Sequence, residues 1–221
     1  MKRRFARSLV MVFLSVLLVG CAGVQGKKDV DITKTATSEK SETEQDNVAK
    51  PGDYFPLTKG SIWEYEGSGN EYASFTREVL FTEGNRSQVK EDNGGTVSAA
   101  VFETTENAVV RVINRAEAYE PVNMLNSEDE ERTVILKAPL KVGTEWRQGD
   151  TLCEIVATDA TVETPAGVFH NCIKVKKKGS SDDVVFEYYS KGVGMVKREF
   201  ISGDVKVTSS LKKYRVSNFS S

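Results

Sequence analysis

Along most of this chain, apolar and polar residues take turns. The runs 61–65, 72–81, 96–103, 109–113, 133–136, 152–157, 168–175, 184–189 and 205–211 are rich in Val, Ile, Thr and aromatics, and most alternate with period two. Successive side chains of a strand point to opposite faces, so this alternation predicts half-buried antiparallel strands. A further strand begins at Met195 and extends through Phe200 and Ile201. No segment of a dozen residues holds a helical period. The mixed stretch 116–132 is expected to be irregular or briefly helical.

Turn residues punctuate the runs. Asn93-Gly94 lies between polar strands and suits a tight turn with positive φ at both central residues. Thr164-Pro165-Ala166-Gly167 suits a type I turn, with Pro165 presetting φ and Gly167 accepting the left-handed conformation that follows. The strands on either side of it should pair. In the strand before it the apolar phase slips: Cys153, Ile155 and Ala157 are odd, Ala160 and Val162 even. A bulge or bend is expected near Thr158-Asp159.

The pattern P-L-x-x-G-x-x-W occurs twice, at Pro56-Leu57…Gly60…Trp63 and at Pro139-Leu140…Gly143…Trp146, 83 positions apart. Val101-Phe102-Glu103 and Val185-Phe186-Glu187 recur at a spacing of 84. The repeats point either to chance or to two similar halves, each opening with a Pro-Gly turn and a Trp that buries a large surface at the start of a strand.

Four blocks carry a resemblance. They are Tyr54-Phe55-Pro56-Leu57 with Gly60, Trp63 and Tyr65; Pro139-Leu140-Lys141-Val142-Gly143 with Trp146; Thr164-Pro165-Ala166-Gly167-Val168-Phe169 followed by Asn171-Cys172; and Tyr188-Tyr189-Ser190-Lys191-Gly192-Val193-Gly194-Met195-Val196-Lys197. In this order they resemble a family of uncharacterised exported β-rich bacterial proteins and lipoproteins. The resemblance implies a β-rich envelope domain and brings no activity or functional residue with it.

The N-terminus is built differently. Met1-Lys2-Arg3-Arg4-Phe5-Ala6-Arg7 carries four positive charges, residues 9–19 are apolar except for Ser15, and Leu18-Val19-Gly20-Cys21 follows. Charged, apolar and small-residue regions in that order form a secretory signal. An apolar stretch of about a dozen residues is short of the roughly 20 that a membrane-spanning helix needs. Leu18-Val19-Gly20-Cys21 resembles the lipobox of bacterial lipoproteins. That resemblance implies that residues 1–20 are removed, that the Cys21 thiol receives a diacylglyceryl group, and that the mature chain sits on the cell membrane or outer membrane with its domain outside the cytoplasm. Residues 22–50 are polar, without an aromatic side chain, and cannot bury enough surface to offset ordering. With Cys21 they are read as a tether spanning roughly 30 Å. Residues 51–221 are read as a single β-rich domain.

Charge narrows the partners. The full chain has 30 basic and 32 acidic side chains, and four of the basic ones lie in the signal, which leaves a formal charge of −6 on the mature chain. A nucleic-acid partner needs a concentrated basic surface, so none is expected. Little chemistry is marked. His170 is the only histidine and is expected to face solvent, and neither G-x-S-x-G nor H-E-x-x-H occurs. No catalytic residue, metal ligand or cofactor is expected. Glu128-Asp129-Glu130-Glu131 lacks the ligand spacing of a calcium loop and is read as a solvated loop. Gly192-Val193-Gly194 is read as a kink or bulge between strands. Lys174-Val175-Lys176-Lys177-Lys178 is read as a basic strand end, with contact to anionic lipid or polymer as the alternative.

Cys153 and Cys172 remain after Cys21, and export permits a disulfide between them. Pairing across the Pro165 turn sets Cys172 opposite Ala160. Cys153 is then seven residues further on, roughly 23 Å at about 3.3 Å per residue, whereas a disulfide needs Cα atoms within about 7 Å. Two separate thiols are expected, with a bridge only if the strand bends sharply.

These observations predict an all-β fold: a strongly curved antiparallel sheet or partly closed barrel of about ten strands. A two-sheet sandwich and an α+β fold with one helix against a curved sheet are the alternatives. The expected role is a non-catalytic envelope module that binds a protein or polymer partner. A carrier of an apolar ligand inside the curved sheet is the second reading, and an enzyme using clustered carboxylates the third.

Overall fold

The computed structural model describes residues 48–217. The expected signal sequence, Cys21 and the tether as far as residue 47 lie outside the described residues. Twelve strands follow one another: β1 (Ile62–Ser68), β2 (Phe75–Glu83), β3 (Arg86–Asp92), β4 (Val97–Thr104), β5 (Ala108–Arg115), β6 (Thr133–Lys137), β7 (Glu145–Gln148), β8 (Thr151–Thr164), β9 (Gly167–Lys178), β10 (Val184–Ser190), β11 (Gly194–Ser202) and β12 (Val205–Arg215). Each pairs antiparallel with its neighbour in sequence except β6 with β7, and β1 pairs with β12. The single sheet runs β6-β5-β4-β3-β2-β1-β12-β11-β10-β9-β8-β7 and curls into a nearly closed barrel. Along the β6–β7 seam side chains stand in for a backbone ladder. The Trp146 Nε1–H (3.0 Å) and the Gln148 amide both donate to the Val134 carbonyl.

The all-β expectation holds, with twelve strands where about ten were expected. The run at 72–81 is corrected at its start: Glu71–Ala73 forms a 3-10 turn and the strand begins at Phe75. Gly67 makes room for that turn. A Cβ there would lie 2.3 Å from the Ser74 nitrogen and 2.4 Å from the Ala73 carbonyl carbon. The turn at Asn93-Gly94 is longer than expected. Asp92 pairs with Val97, only Gly94 has positive φ (+80°), and the Asn93 side chain accepts from the Gly95 and Thr96 amides. Around Pro165 the strands pair as expected, Thr164 with Gly167 and Ala160 with Cys172. The register shifts between Ile155 and Val162, where the apolar phase slips.

The two P-L-x-x-G-x-x-W segments adopt the same local structure. Gly60 N–H bonds the Val79 carbonyl and Gly143 N–H the Ile155 carbonyl, each at 2.9 Å. Ser61 N–H returns to Thr58 and Thr144 N–H to Lys141. Both glycines have positive φ, +81° and +84°. Each Trp is the second residue of a strand that opens a six-strand meander, and each donates its indole N–H to a carbonyl: Trp63 to Val193 at 2.7 Å, Trp146 to Val134. The other repeated triplet falls on β4 and β10, the fourth strand of each meander.

Apolar side chains from nearly every strand, among them Trp63, Tyr65, Val79, Ile155, Tyr189 and Leu211, pack inside the barrel. Phe55 follows the 3-10 turn Pro51–Tyr54 and packs on Phe102 and Tyr189 at the upper rim. The β8–β9 hairpin reaches over the same rim. There Ala166 N–H donates to the Leu211 carbonyl at 3.0 Å, and Phe169 meets Tyr214. A second cluster lies outside the wall, where Met124 and Leu125 of the 116–132 segment cover Ala99, Val101, Val110, Val112 and Ile113. That segment is irregular, and buried Gln88 holds it through bonds to the Val122 carbonyl (2.8 Å) and the Met124 amide (2.7 Å).

Candidate functional site

Two places in the barrel concentrate polar chemistry: its interior and the outer face of β9–β12. Strand alternation aims Arg77 on β2, Glu91 on β3, Lys177 on β9, Glu187 on β10 and Arg198 on β11 at the lumen. Cross-strand neighbours pair there. Arg77 donates twice to one oxygen of Glu91, at 2.8 and 2.5 Å. Glu187 accepts from Lys177 (2.6 Å), Arg198 (3.0 Å) and the Tyr189 hydroxyl (2.5 Å). Arg111 on β5 reaches Glu131 at 2.5 Å.

Burial by itself disfavours every one of these charges. Burial would raise the Glu187 carboxyl pKa, but Lys177 and Arg198 outweigh it and hold the group far below the ordinary carboxylate range. The Glu91 carboxyl is lowered in the same way, burial being outweighed by Arg77 and Arg198. Burial lifts the Tyr65 phenol to about 12 and pushes Tyr189 well above its usual value, with the Glu187 charge adding to the latter. The lumen therefore holds fixed charges across the neutral range, and neither carboxyl carries a proton to give.

The space left between these groups is small and partly open. One cavity of about 120 Å³ is bordered by Arg77, Glu91, Arg111, Asn114, Glu187 and Arg198. A second of about 160 Å³ adjoins it at Glu91 and Arg198 and reaches Tyr72, Asn93 and Thr96 at the lower rim. At the upper rim an open groove of about 690 Å³ runs between the 52–58 segment and the turns at Gly84-Asn85 and Lys191-Gly192.

Outside, the register draws three rows across the wall. Val184 lies between Lys178 and Ile201, Phe186 between Lys176 and Glu199, and Tyr188 between Lys174 and Lys197. Lys206 extends the first row beside Ile201. The Lys174 ammonium sits 4.2 Å from the centroid of the Phe186 ring and 5.2 Å from that of Tyr188, a cation–π arrangement. Glu199 is the acidic group within the rows, and it is occupied by Lys206 (2.7 Å), Lys197 (3.3 Å) and the Tyr188 hydroxyl (2.8 Å). Burial opposes its charge, yet Lys206 and the Tyr188 bond outweigh that and bring its pKa down to about 2. The result is a half-exposed aromatic stripe flanked by lysines on a chain that is acidic overall.

The residues singled out in the sequence scatter across the barrel. His170 is exposed on the β9 arm, near Thr161. Cys153 and Cys172 are separate buried thiols opposite Lys177 and Ala160, and burial pushes the Cys172 thiol up to about 11. The acidic run is more than a solvated loop: Asp129 pairs with Arg86 and Arg132, Glu130 with Arg115, and Glu131 with Arg111. Gly192-Val193-Gly194 is the turn between β10 and β11, with positive φ at both glycines. The basic run divides, since Lys177 points inward to Glu187 while Lys174, Lys176 and Lys178 form the outer row. The lumen charges were missed by sequence reasoning. Only Glu187 stands as a single charge in an otherwise apolar strand; most of the others lie beside further charges, as in Lys90-Glu91-Asp92 and Lys197-Arg198-Glu199, which hides them.

The fold defines the chain as an all-β barrel protein, a twelve-stranded antiparallel meander. No family model and no curated protein matches it. Solved structures similar to it include a protein described as exported, with a YmcC-like fold, from Bacteroides fragilis. It is 15% identical, with a TM-score of 0.45, over 73% of this chain and 98% of that one. A protein described as a lipoprotein, from Parabacteroides distasonis, is similar at 16% identity and a TM-score of 0.36, over 73% and 98% of the respective chains.

Proposed function

We propose that the protein is a lipid-anchored, non-catalytic binding module of the cell envelope that docks an anionic polymer along the outer face of β9–β12. Lipid on Cys21 holds it to the membrane from outside the cytoplasm, and the polar tether gives the barrel reach. The observation that carries the reading is the alignment of Lys174, Lys176 and Lys178 beside Val184, Phe186 and Tyr188. Alternate residues along a strand stand about 7 Å apart. The row thus offers evenly spaced cations to a chain of repeating carboxylates or phosphates, with ring faces and lysine stems to pack against it. The rings lie half-buried beneath lysine, which suits a linear polymer better than insertion into a bilayer.

Two features favour binding over catalysis. The lumen carboxylates are locked in ion pairs, and the two thiols are buried with raised pKa values. The apolar-carrier reading needs an interior cavity of several hundred Å³ lined by aliphatic side chains. The two spaces beside the lumen ion pairs are about 120 and 160 Å³, and charged side chains form part of their walls.

The test is binding of the mature chain to polygalacturonate, polyphosphate, neutral dextran and phosphatidylglycerol vesicles. Polyanion binding that weakens with salt and falls at least tenfold in Lys174→Glu/Lys176→Glu is expected. Binding to vesicles alone would make the face a membrane surface. Binding unaffected by the charge reversal, or none, would sink the proposal. Fractionation of cells making Cys21→Ser, which should leave the membrane fraction, tests the anchor separately.

A further inference from the structure

Three guanidinium groups converge on one small, partly open space in the lumen. Arg77, Arg111 and Arg198 all border the cavity of about 120 Å³ in the lumen. Each is tied to a carboxylate on one side only. Arg198 and Arg111 bond through Nε alone, to Glu187 and Glu131, and Arg77 uses Nε and one terminal nitrogen on Glu91. Guanidinium carries five N–H donors, so each keeps donors for a further acceptor. Arg198 borders both cavities, and 38% of its side-chain surface is accessible.

The charges do not balance. With Lys177, the ion pairs at the lumen join four cations to three carboxylates, Glu91, Glu187 and, from the 116–132 segment, Glu131. An uncompensated charge in a confined interior is costly unless a counter-charge joins it. We propose that the lumen binds a small oxyanion, a carboxylate or a phosphate- or sulfate-like ion, between Arg77, Arg111 and Arg198. Guanidinium forks match the planar or tetrahedral oxygens of such groups better than any other side chain does. The inner cavity has room for about four waters at roughly 30 Å³ each, the size of one such ion. The adjoining cavity leads past Glu91 and Arg198 to Tyr72, Asn93 and Thr96, which gives a route from the lower rim and space for a short polar tail. This site is separate from the outer lysine face, which lies on the other side of the wall.

The experiment is a thermal-stability and calorimetric titration of the mature chain with inorganic phosphate and with acetate, against chloride at matched ionic strength. A saturable rise in melting temperature with one or both probes is expected, together with at least a tenfold weaker titration in Arg198→Gln. Arg111→Gln should weaken it likewise, so that loss of the Arg198–Glu187 pair alone cannot account for the result. Lys174→Glu/Lys176→Glu should keep the full response, which separates this site from the outer face. A flat titration would mean that the cavity holds water only. A response that never saturates, or that survives both arginine variants, would mean a general salt effect. Either result overturns the proposal.

Discussion

Replacing Glu187 with glutamine removes one charge and almost no volume. The carboxylate is 6% exposed and accepts from Lys177, Arg198 and Tyr189. Glutamine keeps an oxygen for one of these donors, but its amide hydrogens turn toward a cation. Breaking a buried ion pair by removing one partner costs about 3–5 kcal/mol, because the other charge stays behind. Arg198 borders solvent-accessible space, so the lower end applies here, about 3 kcal/mol. For a domain of this size that is a fall in melting temperature of about 6–12 °C. Urea unfolding followed by the fluorescence of Trp63 and Trp146 measures it, with an unchanged denaturant slope. Adding Lys177→Met to Glu187→Gln should recover part of the loss, since it removes the stranded ammonium.

The pH dependence has a definite sign. The folded pKa of Glu187 is depressed below its ordinary value of 4.5. The wild-type advantage is therefore complete above about pH 4.5 and declines only as the pH falls from there toward the folded value. A loss below about 1 kcal/mol at pH 7, or a difference that does not shrink in acid, would refute the account of the lumen as an obligatory charge network.

Other expectations follow from single features. Gly67→Ala should destabilise by about 1–3 kcal/mol, since the added methyl meets the backbone of Ala73 and Ser74; chemical denaturation would show it. Gln88→Ala should cost a similar amount and expose the 116–132 segment to limited proteolysis, because the Val122 carbonyl and Met124 amide lose their partner. Trp146→Phe should cost about 1 kcal/mol and speed amide exchange in β6 and β7, the strands that its indole N–H joins. Glu199, with a pKa near 2, should lend the outer face stability that is lost only as the pH falls from about 4.5 to about 2; a variant with Gln at that position should lack this component in acid unfolding.

Much of the wall was legible because its signals are local. The Thr164–Gly167 hairpin follows from φ preferences written into Pro165 and Gly167. The shift between Ile155 and Val162 follows from a broken apolar phase. The twin Gly-Trp turns follow from a repeated octapeptide. Strand β3 was legible only as an unbounded polar strand before Asn93-Gly94, because Arg-Ser-Gln-Val-Lys-Glu-Asp has no apolar alternation to mark it. Its polarity has two uses that only neighbours reveal: Glu91 meets Arg77 inside, and Gln88 clamps the 116–132 segment outside. The four-residue strand β7 was legible only through the repeated Gly-Trp pattern, since its Trp and Gln act on a partner strand that lies at the other end of the sheet order.

Alternation in the sequence determined which residues share a face of each strand. It did not determine which face is inside wherever both faces carry charge. The pairs Arg77–Glu91 and Glu187–Arg198 stand 14 and 11 residues apart in the chain, on adjacent strands, and each by itself could decorate a surface. Register brings each pair together, and the pairing of β1 with β12 that joins the two halves of the sheet sets both on one lumen. A charge is tolerated in an interior only when its partner is there too. That condition depends on closure of the sheet, so the tertiary structure decided the charged lumen, while the sequence decided the strands that enclose it.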